Sequence, residues 1–209
     1  MCYNIEIMTR IVERETKMRV ILASQSATRY NILTGFGLAP EVIRTGADEN
    51  ITGGPEYIVK ELAMRKAAAA IEMLGGNPGL LVAADTVVAF GGKILGKPAG
   101  EQDAFDTLAM LSGNEHEVYS GLVLAYNGRT LCDFDVTRVK FRHISAREIN
   151  LYIKTGDPMT RAGSYGAEGL GAAFIERVDG DFFNIAGLPV FKFVQMLGRL
   201  GLSLFDLME

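Results

Sequence analysis

Asn127-Gly128 stands between two long β-like runs, residues 117–126 and 130–142, and restricts the possible fold more than any other feature of the chain. Asn-Gly readily supplies the positive φ angles of a two-residue hairpin turn, so the flanking runs are expected to pair antiparallel. An all-parallel sheet is thereby excluded. Elsewhere short β-like runs alternate with helical stretches, which gives an α/β protein with a mixed twisted sheet and flanking helices.

Residues 19–23 read as a strand, 26–35 as a helix and 41–44 as a second strand. The clearest helix covers 55–74, with Pro55 near its first turn, alanines at 67–70, apolar Ile58, Leu62, Met73 and Leu74, and a stop at Gly75-Gly76. Leu80–Phe90 and Lys93–Leu95 flank Gly91-Gly92, a second hairpin signal. Further helices are predicted at 103–111, 146–154 and 188–197, the last with Gly198 just past its end. Residues 171–177 and Phe182–Ile185 read as strands around Asp179-Gly180. The segment 100–160 is expected to form a second lobe, so that two lobes surround a cleft.

A net charge of −4 and a pI near 5.3 give no broad electrostatic hold on nucleic acid, so an anionic ligand must be met by a local cluster. Cys2 and Cys132 supply neither a disulfide framework nor a cysteine zinc site, which points to a reduced, cytoplasmic chain. Glu6, Glu13 and Glu15 interrupt the apolar positions of residues 1–18, which read as a short N-terminal extension rather than a secretory leader. Residues 19–209 are then one domain. No apolar run reaches the roughly 18 residues of a membrane helix, so no membrane partner is expected.

Two segments carry the candidate chemistry. Ser24, Ser26 and Arg29 fall where a strand-like run gives way to a helix N-terminus, a place that favours an anion. Each serine also reads as an N-cap. Asp85 is the single carboxylate in Leu80–Phe90, and Lys97 follows in Gly96-Lys97-Pro98. A nearly buried carboxylate is usually paired or functional. Cleaving a phosphoanhydride calls for positive charge on the phosphate oxygens, usually a divalent metal, and a group that deprotonates water. Arg29, Lys66, Lys97 and Arg161 are the basic candidates, and Glu49 and Asp85 the acidic ones. Lys66 reads equally as the polar face of its helix. His116 and His143 lack a second ligand at zinc spacing, so a metal would be Mg²⁺ or Mn²⁺ held by carboxylate, phosphate and water. His116 reads as a packed histidine. A Walker-type phosphate loop and a G-x-S-x-G elbow are both absent from the sequence.

The set Leu22-Ala-Ser-Gln-Ser-x-x-Arg29, Asp48-Glu49, Leu62-Ala-x-x-Lys66-Ala67, Ala84-Asp-Thr-Val-Val88, Gly96-Lys-Pro98, Leu111-Ser-Gly-x-x-His116, Ala162-Gly-Ser-Tyr165, Glu168-Gly169 and Asn184-x-x-Gly-Leu-Pro189 resembles the Maf family. The resemblance implies a metal-dependent nucleoside triphosphate pyrophosphatase, a fold like that of the inosine triphosphate pyrophosphatases and a homodimer. It implies that Asp85 accepts the proton of the attacking water and, with Glu49, holds the metal. Ser24, Ser26, Arg29, Lys66 and Lys97 would engage the triphosphate, and Thr28, Thr86 and Glu168 would read the base. Ala27-Thr28 and Glu168 depart from the pyrimidine-type pattern, which has Pro-Arg and Gln at those positions. A carboxylate can accept two donors from a guanine edge, and Glu168-Gly-Leu-Gly171 resembles relatives acting on 7-methyl-GTP. The expected substrate is therefore 7-methyl-GTP. Hydrolysis of dTTP and UTP is the alternative, and a non-catalytic nucleotide-binding regulator of cell division is a second class of function.

Overall fold

The computed structural model describes residues 18–76 and 79–208. Apart from Met18, the proposed N-terminal extension lies outside the described residues, as does Cys2. The strands are β1 (Val20–Leu22), β2 (Glu41–Val42), β3 (Leu80–Phe90), β4 (Lys93–Leu95), β5 (Glu115–Tyr126), β6 (Arg129–Phe141) and β7 (Ile175–Asp179). They form one seven-stranded sheet in the order β2-β1-β3-β5-β6-β7, with β4 also paired to β3. β1 is parallel to β2 and β3, whereas the β3/β5, β5/β6, β6/β7 and β3/β4 pairs are antiparallel. The sheet is mixed because the Asn127-Gly128 hairpin is grafted onto a parallel β1/β3 pair. Asn127 and Gly128 both have positive φ, as that turn requires.

The helices are α1 (Ala27–Gly35), α2 (Pro55–Met73), α3 (Glu101–Leu111), α4 (Ala146–Ile153), α5 (Phe182–Ile185) and α6 (Val190–Leu200). Strand periodicity assigns them to faces. Leu80, Val82 and Ala84 of β3, with Leu122 and Leu124 of β5, bury one face against Leu33 of α1 and Phe193, Met196 and Leu197 of α6. Leu81, Ala83, Val123 and Ala125 bury the opposite face against Ala63, Ala67 and Ala70 of α2. Gly121 lets α2 come close: a Cβ there would lie 2.1 Å from the Val59 carbonyl oxygen. A second core gathers α3, α4 and the far ends of the long strands around Leu108, Phe141, Ile149 and Phe174.

Three expectations change. Phe182–Ile185 is a single helical turn rather than a strand, because the Asp181 carboxylate caps it by accepting from the Phe183 N–H at 2.8 Å. Residues Leu170–Phe174 form a 3₁₀ turn, so the strand begins only at Ile175. Gly171 packs there so tightly that a Cβ would approach the Gly166 carbonyl oxygen to 2.3 Å. α6 passes through Gly198 and ends at Gly201, whose left-handed backbone (φ 80°) caps it. The apolar stripe that continues to Leu200 outweighs the helix cost of one glycine, about 1 kcal/mol. Among the described residues no helix is long and apolar enough to cross a membrane.

Candidate active site

The alternation that builds the β3 core also aims its polar residues. Asp85 follows Leu81 and Ala83 onto the α2 face, and Thr86 follows Ala84 onto the α1 face. On α2, Lys66 falls between Ala63 and Ala70 on the helix stripe that packs against the sheet. Its Nζ consequently lies 2.5 Å from Asp85 Oδ1 and 2.8 Å from Glu49 Oε1. Lys66 therefore bridges two carboxylates instead of decorating a solvated helix face. The bond from Lys66 is the main cause holding the Glu49 carboxyl below its ordinary pKa, opposed by partial burial. Asp85 is only 8% exposed, yet its second oxygen makes no hydrogen bond among the described residues.

On the other face, Arg29 is buried and donates through Nε to the Gly187 carbonyl at 2.7 Å. Its Nη1 donates to Ser24 Oγ at 3.0 Å and its Nη2 to Thr86 Oγ1 at 2.9 Å. Three of its five N–H groups are thus used within the protein, and its role is partly to organise the site. Burial lowers its pKa, while Asp85 and Glu49 oppose that shift, so the guanidinium stays charged. Ser26 is the N-cap of α1, its side chain accepting from the Arg29 N–H, and Ser24 Oγ accepts from the Ser26 N–H at 3.2 Å. Both serines therefore cap the turn while lining the cavity, so the two readings of these residues coexist.

All ten site residues named from the sequence, Ser24, Ser26, Thr28, Arg29, Glu49, Lys66, Asp85, Thr86, Lys97 and Glu168, line one cavity of about 1120 Å³. Lys97 is exposed and makes no ion pair among the described residues. At the other end, Glu168 Oε1 accepts from Thr28 Oγ1 at 2.6 Å and from Arg161 Nη1 at 2.6 Å. Sequence reasoning named Arg161 as a basic candidate but missed its pairing with Glu168. It also missed Ser120, which is hydrogen-bonded to Thr86 at 2.8 Å, and the Gly187 carbonyl. Gly187 lies in the Asn184-x-x-Gly-Leu-Pro189 segment, which was the available signal.

His116 is packed, as its sequence context suggested: its Nε2 lies 2.8 Å from the Tyr165 hydroxyl, and burial lowers its pKa to about 4. Among the described residues, no group of three or more His, Cys, Asp or Glu side chains converges as a metal cage. Two carboxylates sharing one cation still supply hard oxygen donors of the kind Mg²⁺ or Mn²⁺ takes alongside phosphate and water, so the donor chemistry of Glu49 and Asp85 fits such an ion.

The family model described as Maf-like protein matches residues 19–200. A dTTP/UTP pyrophosphatase from Clostridium perfringens is 43% identical over 192 residues, covering 90% of this chain and all (100%) of that protein. A dTTP/UTP pyrophosphatase from Aquifex aeolicus is 39% identical over 186 residues, covering 88% of this chain and 97% of that protein. Among solved structures, a HAM1 protein from Coxiella burnetii superimposes with a TM-score of 0.46 at 15% identity, covering 76% of this chain and 80% of that chain.

Proposed function

This chain belongs to the Maf family, and on that premise we propose that it hydrolyses dTTP and UTP to the nucleoside monophosphate and pyrophosphate. Nucleoside triphosphate pyrophosphatase activity is the part of the reading common to relatives that span nearly the whole chain. The observation that carries it to these residues is the convergence of Glu49, Lys66 and Asp85 inside a cavity also lined by Arg29 and Lys97.

In this reading the oxygen of a water attacks the α-phosphorus, the bridging bond to the β-phosphate breaks, and pyrophosphate leaves. The water's proton passes to Asp85, whose second oxygen is free to accept it. Lys97 and the two remaining Arg29 N–H groups, together with the α1 N-terminus at Ala27 and Thr28, meet the triphosphate oxygens. Lys66 holds Asp85 and Glu49 in register with one another, and its hydrogen bond favours the charged form of Glu49. Glu49 and Asp85 would hold a Mg²⁺ or Mn²⁺ ion, which when bound neutralises charge developing on the phosphates. Residues 19–209 act as one unit in a reduced, cytoplasmic setting, as the cysteine usage suggests, and as a homodimer, as the family resemblance implies.

The base preference moves from 7-methyl-GTP to the pyrimidines for two reasons. The relatives at 43% and 39% identity are named for dTTP and UTP. In addition, Glu168 is not a bare carboxylate waiting for a cationic purine, because Arg161 already neutralises it. The test is pyrophosphate release, assayed apart from phosphate, from dTTP, UTP, CTP, GTP, ITP and 7-methyl-GTP with Mg²⁺ or Mn²⁺. Release that is fastest from dTTP and UTP is expected. Phosphate without pyrophosphate, or no release at all, would overturn the reaction, and a best substrate of 7-methyl-GTP would overturn the base assignment alone.

A further inference from the structure

Arg161 sits in a tight setting for a side chain in a run of 3₁₀ turns. Its Nη1 donates to Glu168 Oε1 at 2.6 Å and to Thr28 Oγ1 at 3.1 Å, and its Nε donates to Asp157 Oδ1 at 3.1 Å. Asp157 is itself fixed, since the Tyr152 hydroxyl donates to its other oxygen at 2.5 Å. Gly166 makes the room: a Cβ there would come within 3.2 Å of the guanidinium carbon of Arg161, and the Gly166 N–H donates to the Tyr152 hydroxyl at 3.1 Å. Burial opposes the charge of Arg161, but the Glu168 and Asp157 carboxylates outweigh burial and raise its pKa.

Both Arg161 and Glu168 line the cavity, and each keeps one group without a partner among the described residues: Nη2 of the arginine and Oε2 of the glutamate. The Arg161–Glu168 pair therefore offers the two N–H groups of Nη2 beside the Oε2 acceptor, with its own two charges balanced, while Asp157 is met by the Tyr152 hydroxyl as well as by Arg161 Nε. Uracil and thymine present an N3–H donor beside carbonyl acceptors, so the pair matches them as a single amide would.

We propose that Arg161 is a specificity-determining residue, which neutralises Glu168 and supplies the donor that turns a carboxylate into a reader of the uracil or thymine edge. The inference rests on the dTTP/UTP reading and adds to it the residue that makes Glu168 compatible with a neutral pyrimidine. Without Arg161, Glu168 would favour a base with two donors or a positive charge.

The test uses full-length Arg161→Gln and Arg161→Gln/Glu168→Gln proteins, with dTTP and 7-methyl-GTP compared as kcat/KM. For a base turned over too slowly to measure, its inhibition constant replaces kcat/KM. The single variant is expected to shift the ratio about tenfold toward 7-methyl-GTP, the scale of one lost base-edge pairing. In the double variant, where an amide needs no neutralising, the ratio should return to about the wild-type value. An unchanged ratio in a folded Arg161→Gln protein overturns the proposal, and so does a double variant that stays shifted. If Arg161→Gln fails to fold, Glu168→Gln decides: it should keep the dTTP preference, and a shift to 7-methyl-GTP overturns the role given to the pair. Wild-type protein that ignores dTTP and UTP removes the underlying substrate reading. Wild-type turnover of dTTP with an unmoved Arg161→Gln ratio removes only the inference about Arg161.

Discussion

At the Lys66 end of the cleft three cations, Arg29, Lys66 and Lys97, accompany two carboxylates, Glu49 and Asp85. At the Arg161 end one guanidinium is divided between Glu168 and Asp157. The first end therefore has positive charge left over for a polyanion, whereas the second, one guanidinium between two carboxylates, has none to spare. The two ends also stand on different supports. Asp85 and Lys66 lie on a buried strand and a long helix, held by the packing of β3, β5 and α2. Arg161 and Glu168 lie in 3₁₀ turns and loops beside the second core. A site divided in this way can keep its reaction fixed while its base preference changes, because altering the loop end need not move the strand end.

The largest expected effect tests the Lys66 end. Asp85→Asn keeps the shape of the side chain but cannot take a proton, so kcat should fall on the order of 10³-fold for every nucleotide alike. Thermal unfolding of the variant should remain a single cooperative transition. A loss confined to one base would break the division, since Asp85 would then be reading the substrate rather than acting on it.

A middle-sized effect concerns the core beneath the Arg161 end. His116 and Tyr165 are buried there against Phe141, with His116 Nδ1 lacking a partner among the described residues. Burial lowers the folded pKa of His116 to about 4 from 6.5. Between those values the unfolded chain binds the extra proton, so stability is full above about pH 6.5 and declines as pH falls toward about 4. The loss approaches roughly 3 kcal/mol at the bottom of that window. The carboxyls of Glu49 and Glu148 are both held low, so their stabilisation is lost progressively as pH falls from the ordinary carboxylate pKa near 4.5 through their lowered values, mostly below the His116 window. Urea midpoints measured from pH 7.5 to 4.5 should slope in wild type and flatten in His116→Gln, whose amide can still bond the Tyr165 hydroxyl. Equal slopes would remove His116 as the source.

The same division explains what could be read from the sequence. Asp85 and Lys66 were legible because strand and helix periodicities assign faces, and those faces meet wherever α2 covers β3. The sheet was legible at Asn127-Gly128 for a similarly local reason. The Glu168–Arg161–Thr28 cluster was not. Thr28 lies 140 residues from Glu168 and 133 from Arg161 in sequence, and the turns that bring them together have no period to count. Phe182–Ile185 was misread for a related reason. An apolar tetrapeptide fits either a strand or a helix turn, and the Asp181 cap and the buried Asn184, bonded to Val118 and Thr137, decide between them only through tertiary contacts.

The smallest effect is the sharpest test of the comparison, because it alters one hydroxyl where the two ends share an element. Thr28 belongs to α1, the helix that also carries Arg29, yet its hydroxyl donates to Glu168 and accepts from Arg161. Thr28→Val keeps the branched shape and removes both bonds. If the ends are energetically separate, kcat for dTTP should stay within about twofold of wild type, while discrimination between dTTP and 7-methyl-GTP weakens by about fivefold, the scale of roughly one part-exposed hydrogen bond to a charged group. The change should appear chiefly in KM, because the hydroxyl would affect ground state and transition state equally. A matching fall in kcat for all nucleotides would mean that Thr28 transmits strain along the first turn of α1 to Arg29 and Ser24. The Arg161 end would then belong to the catalytic unit, and substrate preference could not change without a cost in rate.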